Sequence, residues 1–488
     1  LPDAGRRVTD APVASVAVVG GGLTAWSAAA ALKRRIPSID VALVPSPVPP
    51  DALADRMIST TPSIHGFHRD IGLTEADTIT GALSGLRIGT LFEGWADGQP
   101  SYVHAYDAYG PPIGGIAFHQ LWLRERQRIS LPPFDHFSRA AELARSGKSF
   151  EPGSVGTEFG LQLTLELYTA LIHDYALHVG VRVHEHAFTR ADLRPEDGFI
   201  EKLVCGDSGD VTADLFIDCT GPQALLHSRL DSAFIDWSSW LLCDRIALTS
   251  GAADPNVVSM DHVSALQFGW RWTASSPQLS SRGLTYSSNH IGAEDTDREL
   301  GNSKAEAFVL REGRKRDFWI RNCVSIGDAA VTVEPLEWAN LHLAHSQIDR
   351  MIAMMPGRDC APVELAEFNR QCAAEADRVR DFICMHYVCS RRNEPFWKDA
   401  ATITPPDSLV HTLALFAERG RLPFYEEETF SKDSWLAVLL GQGFEPKHVN
   451  PLADAVSSAE AIRAMTAASF NLPSAGSAIN SLNPRGIR

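Results

Sequence analysis

The sequence predicts an α/β protein built on a dinucleotide-binding fold, and three observations within residues 16–30 carry that prediction. The run Val16-Ala17-Val18-Val19 is short, apolar and β-branched, as a buried parallel strand is. Gly20-Gly21-Gly22 follows it directly, and residues 24–33 read as an Ala-rich helix. This strand, turn and helix give the pattern Gly20-x-Gly22-x-x-Ala25 its physical meaning. Gly20 permits the tight turn, Gly22 lets the backbone come close to a pyrophosphate, and Ala25 lets helix and strand pack closely. The start of the helix then offers unpaired N–H groups and the positive end of its dipole to an anion.

The other elements follow in order. Residues 41–44 are the second parallel strand, and Pro45 stands where such folds usually carry an acidic residue for a ribose. Residues 46–55 form a Pro-rich loop. Residues 71–95 mix helix and strand signals, with 87–95 the more strand-like half. A helix at 163–178 precedes strands at 181–183, 199–204 and 213–218, the last closed by Cys219-Thr220-Gly221. Further strands are expected at 267–272, 283–288 and 319–326, and the last runs into Gly327-Asp328-Ala329-Ala330. Residues 341–355 read as a helix, and 363–385 as a long helix with its charges on one face. Helical patterns dominate beyond Pro405. Gly441-Gln442-Gly443 follows a helical segment and has no strand before it, so Gly20–Gly22 is the one nucleotide turn expected.

Composition narrows the class. Of 488 residues, 44% are hydrophobic and 21% charged, as in ordinary globular proteins. The formal charge of −16 argues against nucleic acid and anionic membrane surfaces as partners. The eight cysteines form no C-x-x-C pair and several lie in apolar segments, which predicts buried reduced thiols and a cytoplasmic protein. Residues 1–12 are polar, so no signal peptide is expected. No apolar run reaches the ~18 residues of a membrane span.

The segments VVGGGLTAWSAA, RIGTLFEGW, HQLWLR, ADLFIDCTG, FGWRW, GRKRDFWIRNCVSIGDAA, EPLE and SWLAVLLGQG occur in an order that resembles the flavin-dependent tryptophan halogenases. The resemblance runs from about residue 15 to about residue 455. It implies an FAD-binding fold of the flavin-monooxygenase type with a mostly helical substrate-binding subdomain. The corresponding layout is an FAD module over 13–400, a helical C-terminal subdomain over 401–471, and a flexible tail over 472–488. It also implies FADH2 delivered by a separate reductase, reaction with O2, and hypohalous acid made from a halide. That acid would be guided through a tunnel to an aromatic small molecule: tryptophan, an indole or another electron-rich ring. A single nucleotide turn suits a flavin that arrives already reduced.

The same resemblance assigns Gly20, Gly22, Ala25, Gly221, Gly327 and Asp328 to the cofactor, and His104, Tyr106 and Trp435 to the substrate pocket. Arg87 and Glu337 take the catalytic positions, and no metal is expected. The family carries a lysine where Arg87 stands. Arginine stays protonated and cannot become a neutral amine, although it can donate hydrogen bonds to an oxidant. Its alternative is a strand residue paired with a local acid. Glu337 can polarise an oxidant or take the ring proton, or it can be an acid held at a helix start. Trp338-Ala339-Asn340 replaces the family's Ser-Thr-Gly beside the halide, and Asp55-Arg56-Met57-Ile58 replaces a G-x-G-E strap over the flavin. Trp270 and Trp272 keep the family's W-x-W, without the Ile-Pro that follows it. These departures leave two alternatives: a flavin monooxygenase that uses no halide, and a non-catalytic flavoprotein.

Overall fold

The structure is a computed structural model and describes residues 11–146, 158–206, 209–252, 259–291, 296, 298, 299, 301 and 305–469. The expected tail at 472–488 lies outside the described residues. The chain forms two compact units, each assembled from three separate stretches. The first takes 1–84, 163–238 and 308–377; the second takes 85–162, 239–307 and 378–488.

At the centre of the first unit, strand β1 (Ser15–Val19) runs parallel to β2 (Asp40–Val44) on one side and to Leu215–Asp218 on the other. Val16 to Val19 are all buried, because a parallel strand covered on both faces needs a continuous apolar run. Helix α1 (Leu23–Arg35) connects β1 to β2, and every residue from Leu23 to Leu32 is buried. Its alanines have no bulk to hold it away from its neighbours. Lys33, Arg34 and Arg35 occupy the last turn, where the helix dipole is negative. With neighbours on both sides that are reached in opposite directions along the sheet, the end of β1 opens at a topological switch point.

The predicted helix at 163–178 is Leu165–Val179, and that at 341–355 is Ala339–Ala353. The expected single strand at 319–326 is instead a hairpin. Trp319–Ile320 turns back on Cys323–Ser325 at Arg321, whose φ of +52° reverses the chain. The long helix Pro362–Val388 also differs from the expectation of one charged face. Glu375, Arg378, Arg380 and Asp381 are buried, paired instead of solvated: Glu375 with Arg350 and His342, Asp381 with Arg378 and Arg380.

In the second unit, strands Arg245–Ala252, Leu279–Tyr286, Gly269–Ser275, Asp261–Leu266, β4 (Gly89–Glu93) and β5 (Tyr102–Ala105) neighbour one another in that order. β3 (Gly85–Arg87) pairs separately with Gly160–Gln162. The strands predicted at 267–272 and 283–288 lie at 269–275 and 279–286, shifted because the chain reverses between Leu266 and Gly269. Residues 401–469 all fall in this unit and are largely helical, with Asp407–Arg419, Lys432–Gly441 and Ser458–Ala468 the main helices. Ser431 and Ser457 cap the last two by accepting from the N–H groups of Ser434 and Glu460.

All eight cysteines are buried and free, as expected. Among the described residues, no helix is long and apolar enough to cross a membrane.

The first unit contains a clear pH-dependent group. His68 is buried, its Nε2 is 2.6 Å from the Tyr168 hydroxyl, and burial holds its pKa down to about 3. The unfolded chain would protonate this imidazole near the ordinary value of about 6.5, so its neutral state costs stability only below that pH. His68→Gln is therefore expected to gain on the wild type as pH falls from about 6.5, by about 1.4 kcal/mol per pH unit, and to show no such trend above it. Urea unfolding of both proteins at about pH 7 and about pH 5 reads the difference directly.

Candidate active site

The first unit gathers all six predicted cofactor residues around the start of α1. Gly22 is the N-cap of this helix and has no side chain to cap it. The Asp55 carboxylate does so from across the turn, accepting from the Thr24 N–H at 2.7 Å. Gly20 lies so close to Ala25 and to the Cys219 carbonyl that an added Cβ would sit 2.7 and 2.8 Å from them. Gly327 packs against Thr24, and its N–H donates to Gln347 Oε1 at 2.8 Å. Asp328 Oδ2 accepts from the Ala54 N–H at 2.7 Å, while its Oδ1 is buried without a hydrogen-bond partner among the described residues. Gly221, at φ +74°, faces Pro49. Burial pushes the Asp55 carboxyl up, with the Thr24 hydrogen bonds pulling it back. Asp328 is pushed well up, by burial first and also by the nearby Asp55 and Asp51.

Glu337 lies elsewhere in this unit and is buried. After it, Trp338 holds a left-handed φ of +60°, which is rare for a bulky residue, and Ala339 starts the following helix. Asn340 is part of the local architecture, since its Nδ2 donates at 2.8 Å to the carbonyl of Val333, the residue before the EPLE stretch, and ties that residue to the helix.

The second unit holds Arg87 and the three predicted substrate residues. Arg87 ends β3 with its side chain fully buried. Its Nε pairs with the Asp261 carboxylate, and its Nη2 donates to Thr90 Oγ1 at 2.5 Å. The other Asp261 oxygen accepts from Gln162 Nε2 at 2.9 Å. Strand pairing builds this cluster, because Asp261 stands opposite Thr90 and Thr90 stands opposite His104. The guanidinium lies 5.1 Å from the centre of the Tyr106 ring, and the Tyr106 N–H donates to the Ile88 carbonyl at 3.2 Å.

From Tyr106 the aromatic contacts continue. His104 lies 5.9 Å from it, 5.8 Å from Phe382 and 6.5 Å from Phe430. Phe382 stacks on Phe430 at 3.9 Å and meets Trp435 edge-on at 5.1 Å. Phe430 and Trp435 then line a cavity of about 280 Å³, together with Arg378, Tyr425, Glu428 and Lys432. Arg378 lies 4.0 Å from the Tyr425 ring and 4.8 Å from that of Trp435, and it binds Glu428 Oε2 through two nitrogens at 2.8 and 2.9 Å. So Arg87, Tyr106, His104 and Trp435 form one connected set, whereas Glu337 belongs to the other unit. Trp270 and Trp272 are fully buried, and the Trp270 Nε1–H donates to the Tyr387 hydroxyl at 2.8 Å. Asp261 and Gln162 are distant from Arg87 in sequence, and nothing local links them to it; Thr90 lies three residues on, in the same segment, yet carries no signal that sets it apart.

The sequence profile of the tryptophan halogenases matches residues 15–458. The chain belongs to the tryptophan halogenase family. Tryptophan 7-halogenase KtzQ from Kutzneria sp. (strain 744) is 24% identical to it over 91% of this chain and 92% of its own. Among solved structures, BrvH, a flavin-dependent halogenase from Brevundimonas sp. BAL3, superposes with a TM-score of 0.89 at 31% identity, covering 96% and 97% of the two chains. A flavin-dependent halogenase from Xanthomonas campestris gives a TM-score of 0.88 at 29% identity over 94% of each chain. The fold is therefore the FAD-binding α/β fold of these enzymes. This family member keeps the glycine turn and helix start that suit a dinucleotide, yet in this conformation they do not fit one. The seat beside Gly22 already holds a carboxylate. Among the described residues there is no cluster of metal-binding side chains.

Proposed function

We propose that this protein is an FAD-dependent oxidoreductase of the tryptophan-halogenase type. It takes FADH2 from a separate reductase, uses O2, and halogenates tryptophan, an indole or another electron-rich aromatic small molecule. The observation that carries the reading is the connected set from Arg87 through Tyr106 and His104 to the aromatic cavity at Phe430 and Trp435. Flat aromatic walls suit a flat substrate, and the cavity lies just below the usual range of about 300–1,000 Å³ for ligand sites, so it suits a small ring.

In this reading, Arg87 orients the oxidised halide by hydrogen bonding, with Asp261 and Thr90 fixing its guanidinium. His104, Phe430 and Trp435 hold the ring. Glu337, buried in the first unit, is the acid assigned to general-base work in this reading. A reduced flavin, once bound, would supply with O2 the oxidising equivalents for the halide. A cytoplasmic location fits this use of a reduced cofactor. Trp338 and Asn340 favour a second reading, a monooxygenase without halide use, since they replace the residues beside the family's halide.

The test is incubation with FAD, a flavin reductase, NADH, bromide and a panel of indoles and phenols, read by mass. A product heavier by bromine in place of hydrogen supports the halogenase. A product heavier by one oxygen, formed equally without halide, supports the monooxygenase. NADH without the reductase is expected to leave the flavin absorbance unbleached. Gly441, which begins the other glycine pair, packs its backbone against Tyr102 at the end of a helix instead of forming a second nucleotide turn.

A further inference from the structure

The Pro-rich segment expected as a loop at 46–55 packs along the corner where a cofactor would sit, with Ser46 and residues 52–54 buried and Pro47, Val48 and Pro50 exposed. The Ser46 carbonyl lies against Gly21, where an added Cβ would come within 2.5 Å of it. Pro49 Cγ lies as close to a Cβ on Gly221, again at 2.5 Å. Ala52, Leu53 and Ala54 have essentially no exposed surface, and Leu53–Asp55 forms a single 3-10 turn. That turn aims the Ala54 N–H at Asp328 and the Asp55 carboxylate at the Thr24 N–H. A Cβ on Gly22 would lie between 2.5 and 2.7 Å from all three carboxyl atoms of Asp55.

The contacts of Asp55 with Gly22 and the Thr24 N–H use features that the dinucleotide pattern reserves for a ligand. Gly22 is the residue whose missing side chain admits a pyrophosphate, and the start of α1 is the end that attracts an anion. Here a carboxylate has both. Asp328 is the carboxylate expected near the cofactor, and it is hydrogen-bonded to the same segment. Burial works against this arrangement, since it raises the pKa of both Asp55 and Asp328 and sets two acids near each other.

We propose that residues 46–55 are a built-in occupant of the dinucleotide site, with the Asp55 carboxylate standing where a pyrophosphate oxygen would sit, so that FAD binds only as this segment withdraws. The proposal rests on the reading of FAD as the cofactor. Withdrawal exchanges one anion for another at the helix start, so the apparent affinity for FAD is reduced by the fraction of molecules in which the segment is docked. Removing the carboxylate should release that penalty.

The experiment uses the full chain and does not depend on turnover. FAD is titrated by flavin fluorescence into the wild type, Asp55→Ala and Asp55→Gly. Hydrogen exchange of peptides covering 46–56 is followed by mass spectrometry with and without FAD. Asp55→Ala removes the oxygen that accepts from the Thr24 N–H without adding backbone freedom, so it reports even if the glycine variant folds poorly. The expected result is FAD binding tightened by about tenfold or more in Asp55→Ala, together with faster exchange over 46–56 in the wild type on adding FAD. Wild-type binding of FAD with no change in exchange over 46–56, or equal affinity in Asp55→Ala, overturns the proposal and leaves the cofactor reading standing. If neither the wild type nor either variant binds FAD, the cofactor reading fails and the proposal falls with it.

Discussion

Replacing Arg87 with methionine is expected to cost about 3–5 kcal/mol of stability, a loss large enough to threaten folding. The side chain is fully buried, and so is the Asp261 carboxylate that it neutralises. Methionine fills much of the volume but leaves an anion in an apolar interior, with Gln162 still donating to it. The double variant Arg87→Met with Asp261→Asn should recover most of the loss, because the asparagine oxygen can still accept from Gln162 and no charge remains. Thermal or urea unfolding of the four proteins in the cycle measures this. A single variant as stable as the wild type would mean that the pair contributes nothing to folding, and that Arg87 is present for chemistry alone.

The second large effect concerns halogenation. Arg87→Lys alone should raise chlorinated product little, and so should Trp338-Ala339-Asn340→Ser-Thr-Gly alone. Together they should gain about tenfold or more beyond the product of the single gains, since the lysine can act only on an oxidised halide and that halide needs a place to bind. The structure adds two reasons for the single changes to disappoint. A lysine at 87 meets the Asp261 carboxylate, which keeps its amine charged. Removing Asn340 breaks its bond to the Val333 carbonyl, at a cost of about 1 kcal/mol. The assay is chlorinated indole formed with reductase, FAD and chloride. Efficient chlorination by the unmodified protein, or a gain from Arg87→Lys alone that equals the double repair, would refute the coupling.

The part of the fold legible in the sequence was the part with strong local periodicity. β1, the glycine turn and α1 could be read because a buried parallel strand, a turn without side chains and an Ala-rich helix each leave a dense signal within a few residues. The hairpin at Trp319–Ser325 was missed because its reversal depends on one left-handed arginine, and arginine has no preference for that conformation. The site divided in the same way. Family motifs pointed to Arg87, His104, Tyr106 and Trp435, and the second unit does connect them through ring contacts. Asp261 could not be read, because strand register 174 residues away in sequence brings it to Arg87. Asp55 was visible as a departure from a glycine strap, but its capture of the helix start depends on tertiary packing that composition does not encode.

The division into two units has a consequence for how the protein is made. The chain passes between the units five times, the last at residue 378, so neither unit is complete until most of the polypeptide exists. β1 needs Leu215–Asp218 beside it, and the segment just before β1 hydrogen-bonds to a residue 200 positions later. At a synthesis rate of about 5–20 residues per second, this apolar strand of the nascent chain waits about 10–40 s for that neighbour. During that interval only β2 can cover one of its edges, and the other is open to any unpaired strand nearby. Yield on expression should therefore respond to slower growth, lower temperature or added chaperone capacity more than the stability of the finished protein would suggest.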